Sequence, residues 1–236
     1  MKRSVWIGWD PRERAAYGVA LSSLQRHLTE FIPVHALAMA DLIKRGLYTR
    51  PTENRDGLMW DVISDAPMST EHACGRFLTP HLAKEGWALF MDGDVLVRDD
   101  LSKLFDALDP KHAVYCVKHD YEPSEVRKMD NQVQQAYARK NWSSVMAFNV
   151  SHPANNELTI DLINTIPGRD LHRFCWLEDK EIGSLHPRWN HLVGVSPETD
   201  DVAVAHFTLG LPDMPGWADQ SFADEWRAEH QLVRAA

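Results

Sequence analysis

The sequence has no apolar run long enough to cross a membrane, and the N-terminal MKRSVWIGWDPRER carries positive charge without the apolar stretch of a secretory signal. A cytosolic protein is expected. Cysteine is scarce: Cys74, Cys116 and Cys175 are scattered without CxxC spacing, so neither a zinc knuckle nor a disulfide framework is suggested, and reduced, buried thiols are the default. Basic residues are outnumbered, with 25 Lys and Arg against 34 Asp and Glu, a net charge of -9. That balance argues against a nucleic-acid surface and offers no broad basic face to an anionic membrane. No internal repeat, low-complexity tract or dividing linker is present. With 44% hydrophobic residues, the 236-residue chain is long enough for one sizeable core, and a single domain over residues 1–236 is expected. Asn141-Trp142-Ser143 matches a glycosylation sequon, and without a secretory signal it reads as chance.

What is present centres on Trp87 to Asp109, WALFMDGDVLVRDDLSKLFDALD. The apolar run Trp87 to Met91 is too short for a helix and suits a buried strand that delivers Asp92-Gly93-Asp94 at its C-terminal end. Side chains two apart on extended chain point the same way, so Asp92 and Asp94 could reach one cation, and Gly93 would let a bound group approach the backbone. Both aspartates could instead simply cap a turn. Val95-Leu96-Val97 follows as a second strand. Asp99 or Asp100 would then cap a helix through Leu101, Leu104, Phe105 and Leu108, stopped by Pro110.

Around this centre, Ser4 to Trp9 reads as a first strand, and Asp10-Pro11 as an N-cap and first helical residue of a helix running to about His27. Asp10 has two readings, a cap alone or a cap that also meets a ligand at the end of the first parallel strand. Ile32 to Leu37 suits a second strand, and Asp41 to Arg45 a short helix ended by Gly46. Tyr48 to Pro67 lacks sustained periodicity and reads as a long loop or cover. Ser69 to Leu82 reads as a helix that Pro80 kinks or splits, with His72 and Arg76 on one face. Ala113 to Val117 and Trp142 to Val150 read as strands, separated by a polar excursion from His119 to Arg139. A helix is expected from about Pro153 to Ile166, ended by Gly168. Trp176, Glu178 and Asp179 would suit a sugar-binding wall, where rings stack on CH faces and carboxylates accept hydroxyls. Val202 to Ala205 is a short strand ending in His206, and Ser221 to Val233 an amphipathic helix.

Alternating strands and helices predict an α/β fold with a mixed, mainly parallel sheet whose ligand crevice lies at the strand C-termini. Asp10, Asp92, Asp94 and His206 all follow predicted strands. Carboxylates suit hard divalent ions, and an added imidazole favours Mn2+ without excluding Mg2+.

In order along the chain, VWIGWD, STEHACGRFLTP, FMDGDVLV and AHFTLGLP, supported by WSSVMAFN and by WLEDKEIG with RWNHLVG, resemble GT-A-fold glycosyltransferases of the family-8 type over about residues 4 to 212. The resemblance implies a retaining, UDP-sugar or related nucleotide-sugar dependent enzyme with a glycan or other hydroxyl acceptor. It implies that Asp92, Asp94 and His206 hold Mn2+ against the donor diphosphate, and that Ile7, Gly8 and Asp10 line the base and ribose pocket. Arg76 would approach the donor phosphates or sugar, Ser143 and Ser144 would occupy a sugar-contact position, and Asp179 would bind donor-sugar hydroxyls. Two residues depart from the family pattern. Leu209, Gly210 and Leu211 fill the region where a diphosphate-binding lysine is usual, and Lys180 replaces the polar residue after Asp179. Two competing readings stand beside this one. One is a haloacid-dehalogenase-type phosphatase with Asp92 as nucleophile, Asp94 as acid/base and Asp200-Asp201 as a metal motif. The other is a catalytically silent nucleotide-sugar or carbohydrate-binding protein.

Overall fold

The computed structural model describes residues 1–119, 139 and 141–235. The strands are β1 (Arg3–Trp9), β2 (Val34–Ala38), β3 (Thr52–Arg55), β4 (Leu58–Asp61), β5 (Ala66–Pro67), β6 (Trp87–Met91), β7 (Val95–Val97), β8 (Val114–Cys116), β9 (Val145–Asn149), β10 (Ile182–Ser184), β11 (His191–Leu192) and β12 (Val204–His206). The helices are α1 (Arg14–His27), α2 (Met39–Lys44), α3 (Thr79–Ala83), α4 (Ser102–Asp106), α5 (Ile160–Thr165), α6 (Gly168–His172) and α7 (Ala223–Ala235).

Six strands form the main sheet in the order β10-β8-β9-β6-β1-β2. β1 runs parallel to both β2 and β6, and β10 parallel to β8, while β9 is antiparallel to its neighbours β6 and β8. The fold is the expected mixed α/β type. Successive residues of a strand point to opposite faces, and both faces here are covered, which is why β6 and the first four residues of β9 read as unbroken apolar runs rather than alternating ones. Val5, Ile7, Leu89, Met91, Val145 and Ala147 meet Ala20 and Leu24 of α1 and the β7 valines on one side. Ala88, Phe90, Met146 and Phe148 meet Phe77, Leu78, Ile163 and Leu171 on the other. A second small sheet, β11-β12-β7, carries the chain back over the C-terminal end of β6. Its register places His206 opposite Val95, and the Phe207 N–H donates to the Asp94 carbonyl at 2.9 Å.

Several local expectations are corrected. Pro11 does not open the first helix. Asp10, Pro11 and Arg12 form a turn, and α1 begins four residues after Asp10 because the Asp10 carboxylate accepts the backbone N–H of Arg12 at 2.9 Å instead of capping a helical turn. The stretch Tyr48 to Pro67 is not a loop: β3, β4 and β5 form an antiparallel sheet, anchored by a buried ion pair between Arg50 and Asp61. Its strands are short and irregular in hydrophobic pattern, so no period announced them. The helix expected over Ser69 to Leu82 is a turn, a 3-10 segment at Gly75–Leu78 and then α3, with Pro80 in the first turn where its missing N–H costs nothing. The helix expected over Pro153 to Ile166 is likewise a 3-10 turn followed by α5, whose N-cap Thr159 accepts the Leu162 N–H at 3.0 Å. Gly168 starts α6 rather than ending a helix. The helix after the DGD motif is limited to α4, with Asp100 accepting the N–H and hydroxyl of Ser102 just ahead of it. The polar excursion after His119 lies outside the described residues apart from its two ends. Among the described residues no helix is long and apolar enough to cross a membrane.

Candidate active site

The C-terminal ends of β1 and β6 and the segment after β12 enclose a cleft lined by Glu13, Thr70, His72, Arg76, Asp92, Gly93, Asp94, His206 and the stretch Phe207 to Leu211. At its floor, one ligand atom each of Asp92, Asp94 and His206 lies within 4.8 Å of the others. His206 Nε2 is 3.1 Å from Asp94 Oδ1 and 4.0 Å from Asp92 Oδ2. Burial opposes charging of His206, but the two carboxylates outweigh it and raise its pKa above that of an ordinary imidazole.

The two carboxylates of the motif are held differently. Asp92 receives Arg76 Nη2 at 2.9 Å on Oδ1, Arg76 Nη1 at 3.2 Å on Oδ2, and His72 Nε2 at 3.2 Å on Oδ1. Burial alone would raise the Asp92 pKa; the Arg76 and His72 charges and hydrogen bonds prevail and hold it well below the usual carboxylate range. Arg76 is fixed in turn by the Ser143 carbonyl at 3.0 Å and lies over the Phe90 ring. Asp94 has His206 as its ion-pair partner. Glycine is required twice beneath this arrangement. A Cβ on Gly8 would fall 2.4 Å from His72 Nε2, and one on Gly93 would fall 2.6 Å from the Gly8 carbonyl oxygen. Glu13, at the entrance to α1, faces the same carboxylates. Burial first, and then Asp94, Asp10 and Asp92, push its carboxyl up to about 8.

Behind His206 lies a buried polar chain. His206 Nδ1 is 2.9 Å from Asn190 Oδ1, Asn190 Nδ2 donates to Ser144 Oγ at 2.8 Å, and Ser144 Oγ donates to the Asn141 carbonyl at 2.8 Å. Asn190 Nδ2 also meets His119 Nε2 at 3.1 Å. Burial, with His206 and His191 nearby, pushes His119 down to about 4, so it is neutral and its Nε2 is able to accept from the Asn190 NH2.

Of the residues singled out from the sequence, His72, Arg76, Asp92, Gly93, Asp94, His206 and Leu209 to Leu211 meet in the cleft. The others lie behind it or away from it. Ile7 is fully buried in the core, and Gly8 is covered by His72. Asp10 is 1% exposed and turned inward, accepting from the Arg12 guanidinium (Nη2 at 2.7 Å) and from the Glu71 N–H at 3.0 Å. Its burial raises its pKa, and these partners more than reverse the shift. Ser143 and Ser144 are buried, the Ser143 hydroxyl against His172 Nδ1 at 2.6 Å. Asp179 does not line the cleft: its side chain is 88% exposed and paired with Arg139. Trp176 packs edge-on against Phe77 and Phe174, and its Nε1–H donates to Asn155 Oδ1 at 3.2 Å, so it serves the core rather than an open wall. Asp201 pairs with Arg188 away from the cleft. Glu13 and His119 carry no sequence signal as site residues, since each reaches the site through tertiary folding; Asn190 and His72 lie within segments of the family resemblance, RWNHLVG and STEHACGRFLTP, without being singled out there for a role.

The donor set fits a divalent cation. Two carboxylate oxygens and an imidazole nitrogen converge, and the ring's other nitrogen faces an amide oxygen, the usual companion of a metal-bound histidine. Thr70 Oγ1, His72 Nδ1 and Arg76 Nε, buried along the same cleft, have no hydrogen-bond partner among the described residues.

No protein-family model matches the sequence. The structure is similar to the WbbM bifunctional glycosyltransferase (TM-score 0.63, 16% identity, 99% of this chain and 51% of that one) and to the glycosyltransferase GlyE of Streptococcus pneumoniae TIGR4 (0.63, 15%, 99% and 62%). It is also similar to the galactosyltransferase LgtC solved with donor and acceptor sugar analogs (0.62, 18%, 97% and 95%). The chain thus spans about half of WbbM and less than two thirds of GlyE, but nearly all of LgtC. These likenesses establish a GT-A-type glycosyltransferase fold. In sequence, the chain is 42% identical over 232 residues to Protein CDI of Arabidopsis thaliana, covering 95% of this chain and 85% of that protein. With the three-ligand cleft in a GT-A-type sheet and this identity along nearly its full length, the chain belongs to the family of Arabidopsis thaliana Protein CDI.

Proposed function

We propose that the protein is a metal-dependent glycosyltransferase that moves a sugar, with retention, from a nucleotide-diphosphate sugar of the UDP type to a hydroxyl acceptor such as a glycan, and that it acts in the cytoplasm. One observation carries the reading: Asp92, Asp94 and His206 converge in a cleft at the C-terminal edge of a glycosyltransferase-type sheet. Asp92, Asp94 and His206 would hold Mn2+ or Mg2+, which when bound supplies positive charge to offset the charge that builds on a departing diphosphate.

The chain's own residues account for the rest. Arg76 is the fixed cation among the described residues lining the cleft, and it takes the place of the lysine that the Leu209 to Leu211 stretch lacks. It orients Asp92 and presents a guanidinium edge to the donor phosphates. Gly8 and Gly93 keep the floor low, and the Asp10 turn fixes the end of β1 where the nucleoside is expected. Asp179 would have to exchange its Arg139 ion pair for donor-sugar hydroxyls. A phosphatase with Asp92 as nucleophile is disfavoured, because the solved structures that this fold resembles are glycosyltransferases.

The reading is tested with a panel of nucleotide sugars assayed for binding and slow hydrolysis in Mn2+, Mg2+ and EDTA. One donor class is expected to bind and release its sugar only with metal, and Asp94→Ala is expected to abolish release. Unchanged turnover in Asp94→Ala, or phosphate release from simple phosphomonoesters instead, would sink it.

A further inference from the structure

The polar chain behind His206 has a direction that can be worked out from its far end. The Asn141 carbonyl can only accept, so the Ser144 hydroxyl spends its single hydrogen there. Ser144 Oγ can then only accept from Asn190, which places the amide NH2 of Asn190 toward Ser144 and its oxygen toward His206. His119 Nε2 on the same NH2 agrees with that orientation. An amide oxygen facing His206 Nδ1 at 2.9 Å requires a hydrogen on Nδ1, so in the neutral ring Nε2 carries the lone pair, and Nε2 is the atom beside Asp92 and Asp94. The reverse tautomer would set an unprotonated Nδ1 against an amide oxygen, two acceptors facing each other in a site where Asn190 is fully buried.

We infer that Asn190, set by Ser144, is a positioning residue that fixes the His206 tautomer and ring orientation so that Nε2 is offered to a divalent cation. This rests on the proposed metal site, and it gives Ser144 a role facing away from the donor sugar. It also separates two sequence signals that look alike: Ser143 supports Arg76 through its carbonyl, whereas Ser144 supports His206 through Asn190.

Two measurements test it. Long-range 1H–15N NMR on metal-free protein, at a pH alkaline enough to leave the ring neutral, is expected to report the Nδ1–H tautomer of His206. A proton on Nε2 would overturn the inference. Mn2+ alone is then titrated by EPR into the wild type and into Asn190→Leu, Asn190→Asp and Ser144→Ala. Asn190→Leu is expected to weaken Mn2+ binding roughly 10- to 100-fold, as loss of such a supporting partner does elsewhere. Asn190→Asp keeps an acceptor for Nδ1–H and is expected to retain affinity within a few-fold, a rescue that a purely structural role for the amide would not produce. A folded Asn190→Leu protein that binds Mn2+ as tightly as wild type would overturn the inference while leaving the metal site intact. Wild type that fails to bind Mn2+ would instead remove the metal site itself and the inference with it.

Discussion

Asp92 and Asp94 are expected to fail in different ways when truncated, although they belong to one three-residue motif. Asp92→Ala takes from Arg76 its contacts at 2.9 and 3.2 Å and leaves the Ser143 carbonyl, for a residue that is 6% exposed and whose Nε already lacks a partner among the described residues. Removing one partner of a buried ion pair costs about 3–5 kcal/mol, because the remaining charge stays desolvated. In a chain of this size each kcal/mol lowers Tm by about 2–4 °C, so a drop of roughly 6–20 °C is expected. Asp94 is more exposed and, among the described residues, pairs with His206 alone; the imidazole left behind can shed its proton, as the Arg76 guanidinium cannot, and repulsion with Glu13 is relieved. Asp94→Ala should therefore destabilise the metal-free protein clearly less than Asp92→Ala. The assay is thermal or urea unfolding in EDTA, repeated at saturating Mn2+. At a hundredfold excess over Kd, wild type should gain about 2.7 kcal/mol from the ion, and both variants should gain essentially nothing. Equal destabilisation of the two variants in EDTA would refute the argument that Arg76 and His72 clamp one carboxylate and not the other.

Glu13→Gln should stabilise the metal-free protein in a pH-dependent way. The folded pKa of Glu13, pushed up to about 8, lies above that of an unfolded glutamate, so wild-type stability is full below the ordinary carboxylate range and is lost as pH rises toward that value. The Tm difference between variant and wild type is expected to be near zero in acid, to open in the variant's favour up to about pH 8, and to shrink when Mn2+ offsets Asp92 and Asp94. A difference independent of pH would contradict the burial and charge effects assigned to Glu13. Gly8→Ala places a methyl against the His72 ring and should cost about 1–3 kcal/mol, with a matching loss of sugar release as His72 and Asp92 shift; an unperturbed melting curve would show that the ring moves freely.

Much of the scaffold was legible in the chain because burial on both faces of a sheet leaves a local mark. Trp87 to Met91 and Val145 to Phe148 are unbroken apolar runs, and the DGD motif follows the first directly. Short elements left less. The β3-β4-β5 sheet rests on the buried Arg50–Asp61 pair rather than on a period of two, and the 3-10 turns at Gly75–Leu78 and Pro153–Glu157 share the spacing of longer helices without continuing them.

The site divides the same way. The sequence by itself determined that two carboxylates two residues apart follow the end of one buried strand, since the apolar run before them marks it, and that His206 ends a later strand. Only the tertiary structure decided that Asp92 is already claimed by Arg76 and His72, that Glu13 crowds the same cleft, and that Asn190 and Ser144 fix which nitrogen of His206 faces it. Those outcomes depend on directional contacts between segments far apart in the chain, and such contacts leave no periodic trace in the residues that make them.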